Sequence, residues 1–381
     1  MSAKLPPTAV AEMTVYVSSI PMRSFEHAAA ARDRAEAVLV RLRLAGGGEG
    51  WGETLPRPYV TGESIESVQA DLEQRVWPAL AGVSLTAGAE GLVDLPAPLR
   101  PGGAIGPAAC CAVEVAANDA AGFGCHQRRM LRPRVSGVLG SAESARTLKR
   151  LRLMWWFGLR DYKLKLGLGD EADRKNLRLV AGRLRRAIRR RRASLRVDVN
   201  GGWPAEDVPE RTAELAAAGV CCVEQPVFAP AGELAELARR CSLPLMADES
   251  LCTPADAEAL LAADAGVWWN IRISKNGGLA AALDLARRAH RQAIPYSLGC
   301  MVGETGILSA AQRRLLELAP PPRFVEGNYG LFLLSDELAR PPIRFGYRGR
   351  LRPLRGPGLG VAVDPGKVAR HARQAGQWSL G

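Results

Sequence analysis

Lys163 and Lys165 stand two apart in the run Asp-Tyr-Lys-Leu-Lys, so on an extended strand both project to the same side. Downstream, one acid closes each of three short apolar runs. These are Asp198 in Leu-Arg-Val-Asp-Val-Asn, Glu224 in Cys-Cys-Val-Glu-Gln-Pro and Asp248 in Pro-Leu-Met-Ala-Asp-Glu-Ser. A further run, Trp-Trp-Asn-Ile-Arg-Ile-Ser-Lys, presents Arg272 and Lys275. A single acid in such a place usually caps a helix or pairs with a base. Three at matching positions point to a shared cation, because carboxylates held close together cannot all stay ionised without one. Oxygen donors suit a hard divalent ion, Mg2+ with Mn2+ as a substitute. The chain's four histidines, His27, His126, His290 and His371, lie away from these runs, which disfavours zinc. Two ammoniums on one interior face repel each other and lose solvent, which lowers a lysine's pKa and suits it to act as a base. A metal beside basic groups suits removal of a proton next to a carboxylate: the ion stabilises the enediolate and the lysine takes the proton.

The elements that must position these groups follow from their spacing. Intervals of 33, 26, 24 and 24 residues separate Lys165, Asp198, Glu224, Asp248 and Arg272. Each interval holds one strand, one helix and two loops, with alanine-, leucine- and arginine-rich helical segments at 174–192 and 205–218. Strand and helix alternate without hairpin signals, so the sheet is parallel. Only closure into a barrel gathers five strand ends at one mouth. The first barrel strand is expected at 135–139 and the last two at 295–298 and 323–326.

Residues 12–120 follow a different, α+β pattern. Segments 13–18 and 37–44 alternate like antiparallel strands, the turn at 45–48 leads into Gly-Trp-Gly-Glu, and 64–80 and 107–121 read as helices. Two loops there are candidate substrate contacts or ordinary surface loops: 20–28, with Arg23, Glu26 and His27, and 55–62, with Arg57, Tyr59 and Thr61. Glu304 and Glu326, expected after the seventh and eighth strands, either meet substrate or cap the next element. The tail run Gly-Pro-Gly-Leu-Gly-Val at 356–361 is a loop rather than a phosphate cradle, since no strand precedes it and its glycine spacing is incomplete.

Composition narrows the class. The chain has 381 residues, room for about two domains, with 47% hydrophobic and 24% charged residues. No apolar run is long enough for a transmembrane helix, and residues 1–11 lack the form of a secretory signal. Eight cysteines form no disulfide-like framework, which fits a reducing cytoplasm. The net charge of +12 invites a nucleic-acid reading. Its densest block, 183–192, falls on a helix between strands and reads as a solvated outer face, with no aromatic–basic interleaving. Neither nucleic acid nor membrane is expected as a partner; a small-molecule carboxylate is.

Taken in order, Lys-x-Lys, Asp-Val-Asn, Glu-Gln-Pro, Asp-Glu-Ser and a basic residue before Gly277-Gly278 resemble the enolase superfamily, muconate-lactonizing subgroup. The likeness extends to Gly-Trp-Gly-Glu at 50–53 and to the tail loop. It implies a modified (β/α)7β TIM-like barrel at 126–330 under an α+β capping domain built from 1–125 and the returning segment 331–381, assembled as a homo-oligomer. It also implies Mg2+ on Asp198, Glu224 and Asp248, and Lys165 as acid/base tuned by Lys163. Asn200, Gln225, Glu249 and Asn270 adjoin these positions and are candidate second-layer or substrate contacts. One position departs from the pattern. The subgroup places a second lysine where Arg272 stands, and arginine cannot serve as a base at neutral pH. A one-base lyase (dehydratase) or cycloisomerase is therefore expected. The alternatives are an amino-acid or dipeptide epimerase that recruits Lys275, and a catalytically silent ligand binder.

Overall fold

The computed structural model describes residues 5–27, 30–88, 91–100, 102–103, 105–123, 133–140, 143–167 and 169–380, the side chains of residues 24–32 excepted. Strands β1 (Val10–His27), β2 (Ala30–Leu44) and β3 (Glu49–Thr54) form an antiparallel sheet. The first two run beyond the alternating segments legible in the sequence. Along β2, Ala35, Ala37 and Leu39 join the apolar cluster shared with the barrel, while Val38, Val40 and Leu42 face the other way into a second cluster. Period-two alternation thus lets one sheet serve two cores. Helix α1 (Pro107–Ala120) lies almost wholly buried and is built of small residues. It sits so close to β3 that a Cβ on Gly52 would overlap the Ala112 carbonyl and one on Gly50 would overlap Ala120, which is why the motif reads Gly-Trp-Gly-Glu.

The second sheet has eight parallel strands in sequence order: β4 (Gly137–Leu139), β5 (Asp161–Lys165), β6 (Ser194–Asp198), β7 (Val223–Glu224), β8 (Leu245–Ala247), β9 (Trp268–Ile271), β10 (Tyr296–Leu298) and β11 (Phe324–Val325). A parallel bridge from Val135 to Val325 joins the two edges, so the sheet closes. Seven helices alternate with these strands: α2 (Ser144–Trp156), α3 (Asp170–Arg189), α4 (Val208–Ala217), α5 (Ala231–Ala238), α6 (Pro254–Ala263), α7 (Leu279–Arg291) and α8 (Gly306–Leu318). This is the (β/α)7β barrel. The arginines of 183–192 are exposed, as a solvated face requires. No described helix is long and apolar enough to cross a membrane.

The last strand, β12 (Ala372–Ser379), returns to pair antiparallel with β1. On the way, the loop at 356–361 is tied down by Arg314 of α8, which donates to the Gly356 and Gly358 carbonyls, and by Leu359 N–H donating to Asp119. It has a structural partner of its own.

Cap and barrel are locked by Glu53 at the end of β3. Its buried carboxylate accepts from Thr305 N–H (2.9 Å), Thr305 Oγ1 (2.8 Å) and Leu308 N–H (3.1 Å), satisfying donors that α8 cannot pair internally. Glu53→Ala leaves those donors unpaired and is expected to cost about 2–4 kcal/mol in urea unfolding. A loss within about 0.5 kcal/mol, the range of ordinary surface changes, would show that the lock does not hold the two parts together.

Candidate active site

Register in the barrel brings the charged groups to one layer. Lys165 pairs with Asp198 across β5 and β6, and Asp198 with Glu224 across β6 and β7. Asp248 and Arg272 each follow the last residue of their strand, β8 and β9. In a closed eight-stranded barrel β9 stands four strands from β5, so Arg272 faces Lys165 across the mouth. Alternation along β5 turns Lys163 and Lys165 inward and Tyr162 and Leu164 toward the helices.

The acids are fully buried and closed onto protein cations. Lys163 Nζ lies 3.0 Å from Asp198 Oδ2, 3.1 Å from Glu224 Oε1 and 2.7 Å from Glu326 Oε2. Lys165 Nζ donates to Asp198 Oδ2 at 2.6 Å and to Asn200 Oδ1 at 2.7 Å. Arg272 bonds Asp248, and the same guanidinium nitrogen is 3.7 Å from Glu224. Lys275 Nζ donates to the Asp248 carbonyl (2.6 Å), to Asp248 Oδ1 (3.0 Å) and to the Asn270 carbonyl (2.8 Å).

Charge balance in the cluster has definite signs. Burial and the neighbouring Asp198 push the Glu224 carboxyl upward, against the pull of Lys163. Against its burial, Lys165 and Lys163 hold Asp198 well below the usual carboxylate range. Burial alone would push the Lys163 ammonium down, but Glu224, Glu326 and Asp198 outweigh it and hold it well above the usual lysine range. For Lys163 this corrects the expectation of a lowered lysine: three acids surround its ammonium.

The donor set fits a hard divalent cation. Ammonium and guanidinium nitrogens already stand between these carboxylates, and two acceptors beside them, Asn270 Oδ1 and Glu249 Oε2, are buried without a hydrogen-bond partner. As the side chains stand, among the described residues no three acidic, histidine or cysteine groups surround one point as metal ligands do. The acids are turned onto lysine and arginine instead.

Above this layer opens a cavity of about 500 Å3 bordered by Lys163, Lys165, Asn200, Glu249, Arg272, Glu304, Glu326 and Tyr59. Glu304 is pushed up to about 8 by burial and accepts from Met301 N–H at 2.6 Å; it caps no helix, because Thr305 and Glu53 cap α8. Glu326 likewise is no cap, being bonded by Lys163 and Arg196. Gln225 and Asn270 lie beneath. Gln225 accepts from Asp248 N–H and donates to Ser250, and Asn270 donates to Glu224 at 2.7 Å. Lys275, which the epimerase alternative would recruit, is buried against Asp248 and does not border the cavity. The His27 side chain lies outside the described residues.

Arg196 does not stand at a strand end and so carries no spacing signal of the kind the acids do. This fully buried guanidinium bonds Glu326 and donates to Ser136 Oγ at 3.2 Å, holding the acid that in turn holds Lys163. An arginine two before Asp198 on a barrel strand must share its inward face, and that signal was present. The apolar side of the cavity, from α2 and the segment after β11, carried no comparable signal.

A sequence profile described as "Enolase C-terminal domain-like" matches residues 146–367. Muconate cycloisomerase 1-2 of Acinetobacter lwoffii is 31% identical over 361 residues, covering 88% of each chain. L-Ala-D/L-Glu epimerase of Bacillus subtilis is 32% identical over 292 residues, covering 73% of this chain and 76% of the epimerase. The crystal structure of muconate lactonizing enzyme from Pseudomonas fluorescens complexed with muconolactone superposes with a TM-score of 0.83 at 26% identity, covering 97% and 100%. Together with the barrel, its cap and the ordered charges, this makes the chain a member of the enolase superfamily, in the muconate-lactonizing-enzyme-like subgroup. It is an enzyme of that superfamily, an isomerase or lyase.

Two measurements follow from the cluster. Lys163→Met removes the ammonium that three buried acids share and is expected to cost about 3–5 kcal/mol in urea unfolding with EDTA present, whereas a cost near zero would mean the network is not formed. Glu326 is buried, yet Lys163 and Arg196 hold its carboxyl down to about 2 from 4.5, so between these values the folded state binds fewer protons than the unfolded one. Its stabilisation is complete above pH 4.5 and is lost as pH falls toward 2. Glu326→Gln should flatten that acid limb of stability against pH; an unchanged limb contradicts the pairing.

Proposed function

We propose that the protein is a Mg2+-dependent enzyme that removes the proton alpha to a carboxylate with a single base, Lys165, in a cycloisomerisation or an elimination such as dehydration. Asp198, Glu224 and Asp248 would hold the metal, with Asn200, Gln225 and Asn270 orienting them. Bound there, the ion supplies positive charge against the carboxylate whose alpha proton is removed. The observation that carries the reading is Lys165. Its Nζ is fixed by Asp198 and Asn200 at the cavity floor, and Arg272, which cannot act as a base, faces it across the mouth.

Lys165 Nζ takes the alpha proton, and the C–H electron pair becomes the enolate. That pair then expels the group on the beta carbon, and the lysine returns its proton to the leaving oxygen on the same face. One amine thus serves as base and then acid. Arg272 keeps its proton throughout and so presents a positive charge opposite Lys165 without accepting a proton.

Two-base epimerisation is disfavoured by Lys275, whose three N–H bonds are spent on Asp248 and the Asn270 carbonyl. The substrate is a small carboxylic acid. A soluble, cytoplasmic enzyme that works as a homo-oligomer without nucleic acid or membrane completes the proposal.

Screening carboxylic acids by NMR in D2O with Mg2+ tests it. At least one should exchange its alpha proton, Lys165→Ala should lower exchange on the order of 10² to 10⁴-fold, and EDTA should abolish it. Full exchange in Lys165→Ala would refute the assignment.

A further inference from the structure

The cavity is graded from floor to mouth. At the floor Lys163 and Lys165 are 2% and 5% exposed, whereas at the mouth Leu153 is 65% exposed and Arg23 also lies open to solvent. Between them stands an apolar wall made by elements far apart in sequence. Helix α2 turns Arg150, Leu153 and Met154 to the cavity, positions on one helical face, with Phe157 just beyond its end. The segment after β11 adds Tyr329 and Phe332, and Phe345 binds the two together. Its ring centroid lies 5.9 Å from Phe157, 6.1 Å from Tyr329 and 5.0 Å from Phe332. Tyr329 Oη is spent on the Ser136 carbonyl at 2.6 Å, so it offers the cavity its ring rather than its hydroxyl.

The mouth is basic. Arg23 and Arg150 both border the cavity, and among the described residues neither pairs with an acid. Among the described residues Arg150 donates to the Gly140 carbonyl alone, at 3.3 Å. Burial, then Arg146 and Arg23, hold its guanidinium below the usual arginine range, as expected of cations crowded without a counter-charge. Arg57 differs, being engaged by the Pro56, Glu36 and Val302 carbonyls. A small dianion held at the floor would leave both the aromatic wall and the two outer arginines uncovered.

We propose, resting on the alpha-proton reading above, that the substrate is an elongated acid with an apolar, aromatic-sized body and a second anionic group remote from the reacting carboxylate. The body lies on Phe157, Tyr329, Phe332 and Phe345, and the second anion meets Arg23 and Arg150. Stacking and apolar burial set the fit of the body, and the arginine fork sets its far end.

Calorimetric titration of the Mg2+-loaded enzyme with three probes tests this: 4-phenylbutanoate, 4-(4-carboxyphenyl)butanoate and adipate. The aryl dicarboxylate should bind about tenfold or more tighter than phenylbutanoate, the yield of one charge-assisted hydrogen bond, and adipate should be weakest. The double variant Arg23→Gln/Arg150→Gln should bring the ratio between the two aryl acids to about one. Phe332→Ala should weaken both aryl acids and leave adipate as it was. Equal binding of the two aryl acids to the wild-type enzyme, or adipate matching the aryl dicarboxylate, overturns the proposal. Alpha-proton exchange followed by NMR in the same samples separates the layers. The binding order in an enzyme for which neither these probes nor any screened acid exchanges would uphold this recognition and sink the catalytic reading, and exchange without the binding order would do the reverse.

Discussion

Everything at the barrel mouth depends on burying carboxylates close together. Asp198, Glu224 and Asp248 come from adjacent strands, so the register that makes the sheet also forces like charges into one desolvated layer. Such a layer persists only if cations balance it, and here four do so: Lys163, Lys165, Arg272 and Lys275. The same requirement makes the layer receptive to a divalent ion. Stability and chemistry therefore draw on one set of charges.

That dependence explains the division of labour among the basic groups. Lys163 and Arg196 are locked by Glu326 and serve the network, and Lys275 is held beneath Asp248. Lys165 both pairs with an acid and opens on the cavity, which suits it to move a proton. Arg272 shares that position but not that chemistry. Arginine on the sixth strand keeps a positive charge opposite Lys165 and offers no proton acceptor at neutral pH, which is why the proposal gives the proton step to Lys165 alone.

Much of this was legible in the sequence because barrel strands repeat a rule. A charged residue at the end of each apolar run marks the strand's end and the mouth together, so Lys165, Asp198, Glu224, Asp248 and Arg272 could be ordered from spacing alone. Glycines 50 and 52 were visible as a motif, and their reason, the close approach of α1, needed the packing. The direction of the Lys163 shift was misread because a strand pattern gives a residue's side, not its neighbours; Glu224 and Glu326 decide it. The place of Lys275 was not legible for a similar reason, since a short helical turn after β9 carries it under Asp248. The aromatic wall was illegible. Phe157, Tyr329 and Phe345 belong to three separate segments, and only tertiary packing brings them together.

The central claim is that one divalent cation sits among Asp198, Glu224 and Asp248 within reach of the cavity that Lys165 borders. Crystals grown with Mn2+ and measured at its anomalous edge address this directly. The account predicts a single strong peak touched by oxygens from all three acids, with Arg272 no longer closed on Asp248. A peak elsewhere, or no peak with Arg272 still bonded to Asp248 at saturating metal, would contradict it.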